Sequence, residues 1–92
     1  MVNAVILMNV TRDSIRSVAE TLADLPGVSE VYSVGGRYDL VAIIRVANND
    51  ELADLVTERI RSIEPIVNTE TLIAFRAFSR HDLDTMFSIG LN

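Results

Sequence analysis

Proline stands twice at the same place in a repeated pattern, and this duplication constrains the fold more than any other feature of the chain. A strand-like run, an amphipathic helical run and a proline precede another strand-like run, first around Pro26 and again around Pro65. In the first unit, Val2, Ala4, Ile6, Met8 and Val10 fall on one pleat face and Val5 and Leu7 on the other, which predicts a strand covered on both sides. Thr11 is placed to cap a helix in which Ile15, Val18, Ala19, Leu22 and Leu25 recur at helical spacing until Pro26-Gly27 stops it. Val28 to Val34 returns to a strand, Gly35-Gly36 supplies a turn tolerant of positive φ, and Tyr38 to Ala47 forms the other arm of a hairpin.

The second unit repeats the scheme. Asn48 with Glu51 three residues later matches a capping box, and Leu52, Leu55, Val56, Ile60 and Ile63 mark a helix that should end near Ser62, before Pro65. Val67 to Phe78 then predicts a last long strand, with Val67, Thr69, Thr71, Ile73 and Phe75 on one face and Leu72, Ala74 and Phe78 on the other. Ser79 with Asp82 offers a cap for a short C-terminal helix carrying Leu83, Met86 and Phe87. The order β-α-β-β-α-β plus a helix points to an α+β, ferredoxin-like sandwich filling residues 1–92 as a single domain. Right-handed crossovers place both helices on one face of a four-stranded antiparallel sheet, with the first and third strands in its centre.

That arrangement leaves the other sheet face bare, yet the third strand is apolar on both sides, with Leu40, Ala42, Ile44 and Val46 alternating with Val41 and Ile43. Each side chain such as Ile43 or Leu7 contributes about 1.5–3 kcal/mol when buried, a large sum beside the stability of a small domain. A face-to-face homodimer, paired like a dimeric α/β barrel, is the economical cover; the alternative is that strand ends and the terminal helix fold back over the face.

Composition narrows the partners. Thirteen acidic residues face eight arginines and no lysine, so the net charge of -5 leaves no basic face for a run of phosphates, and direct nucleic-acid binding is not expected. The absence of cysteine excludes disulfides and thiolate metal sites and suits a reducing cytoplasm. The apolar run Ala4 to Met8 is too short to span a bilayer, so no membrane helix or signal peptide is expected.

The richest chemistry lies in Val34-Gly35-Gly36-Arg37-Tyr38-Asp39, where two glycines, a cation, a phenol and a carboxylate share one turn. Glycines let a ligand approach main-chain donors that can hold a carboxylate, while Asp39 can pair with an ammonium group; a free amino acid presents both. Read as structure alone, the same residues form an ordinary hairpin turn with a solvated arginine.

Gly36-Arg37-Tyr38-Asp39-Leu40 resembles the Gly-x-Tyr-Asp-hydrophobic turn of Lrp/AsnC regulators. Leu25-Pro26-Gly27-Val28 and Asn68-Thr69-Glu70-Thr71 are similar to the same family's effector-binding, or RAM, domain, so the resemblance runs from Val2 to about Phe78. It implies sheet-to-sheet dimers that assemble into larger rings, an octamer or similar, with a small effector, typically an amino acid, where dimers meet. Carried over, Gly35, Gly36, Tyr38 and Asp39 are expected to contact the effector, and Thr69 and Thr71 to add hydroxyls from an adjacent dimer. Thr71 also reads simply as a β-branched residue on a half-buried face. Because the first strand starts at Val2, the family's helix-turn-helix is expected to be absent, leaving a stand-alone effector domain whose partners include a full-length regulator of the same family.

Catalysis and metal binding are not expected, and no cofactor is. His81, the only histidine, sits in His81-Asp82-x-Asp84 without enough ligands for a metal, and no nucleophile or cofactor motif accompanies it. Two other classes stay open: a small dimeric α/β-barrel enzyme of oxygenase or isomerase type, with Tyr38, Asp39 and His81 as its polar candidates, and a ligand-free scaffold that co-assembles with a longer regulator.

Overall fold

The computed structural model describes residues 1–78 and Arg80. Four strands, β1 (Val2–Val10), β2 (Val28–Ser33), β3 (Leu40–Val46) and β4 (Ile66–Ile73), form one antiparallel sheet in the order β2-β3-β1-β4. The expected central pair is therefore present. Helix α1 (Ile15–Ala23) follows β1, and helix α2 (Asn49–Asp54) follows β3 and continues as a π-helical segment, Leu55–Ile60. The expected terminal helix around Leu83, Met86 and Phe87 and the residue His81 lie outside the described residues. Among the described residues, no helix is long and apolar enough to cross a membrane.

The period-2 pattern of the two central strands sorts their side chains onto the two faces as expected. Ala4, Ile6, Met8 and Val10 of β1 and Leu40, Ala42, Ile44 and Val46 of β3 are buried beneath the helices, against Val18 and Leu22 of α1 and Leu52, Leu55 and Ile60 of the second helical arm. Asn48 caps that arm as predicted: its Oδ1 accepts the Glu51 N–H at 2.9 Å, and Glu51 Oε2 accepts the Ala47 N–H at 3.0 Å.

Each proline turn is bonded to a central strand, or its end, in the other repeat. The Arg45 N–H of β3 donates to the Gly27 carbonyl at 2.8 Å, and the Thr11 N–H, at the end of β1, donates to the Pro65 carbonyl at 3.0 Å. Gly27 has φ +94°, and a Cβ there would lie 2.7 Å from Val46 Cγ1, so this turn requires glycine on both conformational and steric grounds.

Several boundaries differ from the sequence reading. Thr11 makes no side-chain cap; a 3-10 turn, Arg12–Ser14, intervenes before α1, and the Thr11 carbonyl accepts the Ser14 N–H at 2.9 Å. Strands β2 and β3 stop at Ser33 and begin at Leu40, so the connection is a six-residue loop, 34–39. Strand β4 ends at Ile73, short of Phe78: Ile73 pairs with Ala4, the Ala74 N–H reaches the Asn3 carbonyl at 2.9 Å, and β1 begins at Val2, so β1 offers no partner as far along as Phe78.

Candidate functional site

The loop 34–39 is closed at its base by the Val34 N–H donating to the Asp39 carbonyl at 3.0 Å. It then leans on the C-terminal end of β1 rather than on its own hairpin. The Asp39 N–H donates to the Met8 carbonyl at 2.8 Å, Asp39 Oδ2 accepts the Val10 N–H at 2.9 Å, and Asn9 Nδ2 donates to the Arg37 carbonyl at 2.7 Å. The Tyr38 hydroxyl donates to Glu70 Oε2 across on β4, and Asn68 Nδ2 donates to Asn9 Oδ1 at 3.3 Å.

These bonds fix the root of the loop and leave its tip exposed. Gly36 adopts φ +118°, the conformation expected of one glycine in the pair, and nothing lies within 4 Å of the position a Cβ would take at Gly35 or Gly36. A ligand can therefore approach this backbone closely. Arg37 is exposed beside the glycines, and Tyr38 and Asp39 are half-buried below it. The hydrogen bond to Glu70 holds the Tyr38 phenol above the ordinary tyrosine range, reinforced by partial desolvation and by the Glu70 charge and opposed by the Arg37 cation.

Of the residues expected at the site, Gly35, Gly36, Tyr38 and Asp39 are together in the loop. Thr69 and Thr71 are not joined to them within one chain: they pair with Met8 and Ile6, which directs them to the helix side of the sheet, whereas Glu70, the partner of Tyr38, points to the opposite side. Thr69 is exposed and Thr71 half-buried, as its β-branched strand reading has it. Part of the helix-side face of β4 is open to solvent, with Val67 and Ile73 also exposed. A groove of about 290 Å³ runs between this ledge and the π-helical segment, lined by Val56, Thr57, Ile60, Arg61 and Thr69 among others.

Sequence reasoning missed Asn9, Asn68 and Glu70. The available signal was Asn9 itself, one of two amides, with Asn3, in a strand whose other residues are apolar, where a buried or half-buried amide needs partners. Asp39, expected to be free for an ammonium group, already has one oxygen engaged with the Val10 N–H, so the carboxylate holds the loop as well as facing its tip.

The model of the Lrp/AsnC ligand binding domain matches residues 3–83. An uncharacterized HTH-type transcriptional regulator from Pyrococcus furiosus is 38% identical over 60 residues, which is 65% of this chain and 40% of the relative. The chain thus spans less than half the length of such regulators. Among solved structures, TTHA0845 from Thermus thermophilus is 46% identical with a TM-score of 0.82, covering 87% of this chain and 100% of that one. A feast or famine regulatory protein from M. tuberculosis, solved in complex with L-methionine, is 26% identical with a TM-score of 0.72, covering 86% of this chain and 53% of that one. With the family model spanning both repeats and the loop between them, the chain belongs to the Lrp/AsnC ligand binding domain family.

Proposed function

We propose that the chain is a non-enzymatic, cytoplasmic effector-sensing domain that binds an amino acid at the Gly35–Asp39 loop and shifts the assembly state or partner choice of a transcription regulator. The observation that carries this reading is the loop itself, bonded to β1 at its root while Gly35, Gly36 and Arg37 stay exposed at its tip. The amino-acid class is supported by the relative solved with L-methionine. Two copies pair through the open sheet face, where Val5, Leu7, Val41 and Ile43 remain only half-buried in one chain. Dimers then meet so that Thr69 and Thr71 on the uncovered β4 ledge of one approach the loop of another, which completes a site that no single chain holds. Bound effector favours the assembly it bridges by differential affinity. Calorimetric titration with the twenty amino acids tests this: saturable binding of one or a few, weakened by Asp39→Asn, is the expected result, and indifference to all twenty contradicts it.

The second reading, a ligand-free scaffold that co-assembles with a full-length regulator, is favoured by one observation: the Asp39 carboxylate already serves the Val10 N–H. Copurification of a longer relative without any amino-acid binding selects it.

A further inference from the structure

We infer that Glu70 is a positioning residue of the loop 34–39: by taking the one proton of the Tyr38 phenol it sets the hydrogen-bonding face that Tyr38 offers a ligand, and so selects a donor such as an ammonium group. The inference rests on the loop reading proposed above and adds to it a residue from another strand and a rule of selection.

The loop leads into β3, yet its tethers lie two strands away. In the sheet order β2-β3-β1-β4, β1 separates β3 from β4, so Tyr38 crosses β1 to reach Glu70. Two strand spacings amount to about 9–10 Å, a span that a tyrosine and a glutamate together cover. A second tether runs alongside: Asn68 of β4 donates to Asn9 of β1, and Asn9 donates to the Arg37 carbonyl at 2.7 Å. Glu70 pairs with Leu7 and Asn68 with Asn9, so both tethers cross β1 at successive positions of one sheet face.

The direction of the phenol bond decides the chemistry. An ionised carboxylate only accepts, and a phenol carries a single O–H. With that proton committed to Glu70 Oε2, the Tyr38 oxygen keeps only lone pairs for a ligand. The carboxylate also polarises the phenol, which makes those lone pairs better acceptors. An ammonium group donates to them, whereas the keto oxygen of a 2-oxo acid meets them lone pair against lone pair. Asp39 brings only one oxygen to the same task, since the other serves the Val10 N–H. A like pair, Tyr32 and Glu30, sits two residues apart within β2 and ties no loop to another strand, which makes it an internal control.

The test compares Glu70→Ala, Glu70→Gln and the control Glu30→Ala by calorimetric titration with the twenty amino acids and, for each that binds, its 2-oxo analogue. Glu70→Ala should raise the dissociation constant of a bound amino acid about 10-fold, as the loss of one hydrogen bond does, and narrow its preference over the 2-oxo acid. Glu70→Gln, whose amide oxygen can still accept the phenol proton, should recover most of both, and Glu30→Ala should change neither. A merely structural role would lower the melting temperature and leave the preference as it was. An unchanged preference in Glu70→Ala, with binding still weakened by Asp39→Asn, overturns the inference and keeps the loop as the site. An equal change in Glu30→Ala also overturns it, and a wild-type chain that binds none of the twenty removes the loop reading and the inference together.

Discussion

Two faces of one pair of strands meet different environments. On the helix side, Ile6, Met8, Leu40, Ala42 and Ile44 are completely buried by residues of the same chain. On the other side, their neighbours Val5, Leu7, Val41 and Ile43 are of the same chemical kind and only half-buried. The covered face is a finished core whose energy is available to an isolated chain. The open face holds apolar surface that contributes fully only when something outside the chain covers it, so one strand sequence specifies both an internal fold and an external contact.

The sharpest way to break this comparison is to truncate one side chain on each face. Ile6→Ala should cost about 2–5 kcal/mol of stability in urea denaturation, from lost burial plus the cavity left behind. Leu7→Ala, measured where the chain is monomeric, should cost clearly less and instead weaken self-association. Equal costs under monomeric conditions would show that the two faces do not differ as described.

The two glycine turns sharpen it next. Gly27→Ala should destabilise by about 1–3 kcal/mol, since the φ of +94° and the 2.7 Å approach of Val46 both oppose a Cβ. Gly35→Ala meets open space and should change stability by less than about 1 kcal/mol, so any loss it causes in effector binding reports close ligand approach rather than misfolding.

At Asp39 the structural and binding roles separate by substitution. Asp39→Ala leaves the Val10 N–H without its acceptor and should cost about 1–3 kcal/mol. Asp39→Asn can still accept that bond and should stay folded while losing attraction for an ammonium group. Thermal melts read alongside calorimetry distinguish the two.

The smallest effect is a titration. Because Tyr38 donates to Glu70, its folded-state pKa is raised, so the stability from that bond is fully present below the ordinary phenol pKa and is lost as pH rises through the higher folded value. In a Tyr32→Phe background, ultraviolet titration should place Tyr38 ionisation above that of a free tyrosine, and Glu70→Gln should move it back down.

The fold was largely legible because alternation in β1 and β3 and the two Pro-terminated helices are local patterns, each tied to one secondary-structure period. The end of β4 was not. Alternation runs on through Phe75, but pairing ends at Ile73 opposite Ala4, close to the start of β1, and that limit belongs to a neighbour distant in sequence. Thr11 stands at the expected start of the helical segment, but that segment opens as a 3-10 turn, Arg12–Ser14, and the Thr11 side chain makes no cap bond. At the site, the Gly35–Asp39 segment announced itself by composition. Its supports did not, since Asn9 meets Arg37, and Tyr38 meets Glu70, only after the sheet has formed.

Light-scattering mass of the purified chain, with and without each of the twenty amino acids, tests the central claim most directly. The account predicts a dimer or a multiple of one, with mass or melting temperature altered by one or a few amino acids; a monomer across the accessible concentration range, indifferent to all of them, would contradict it.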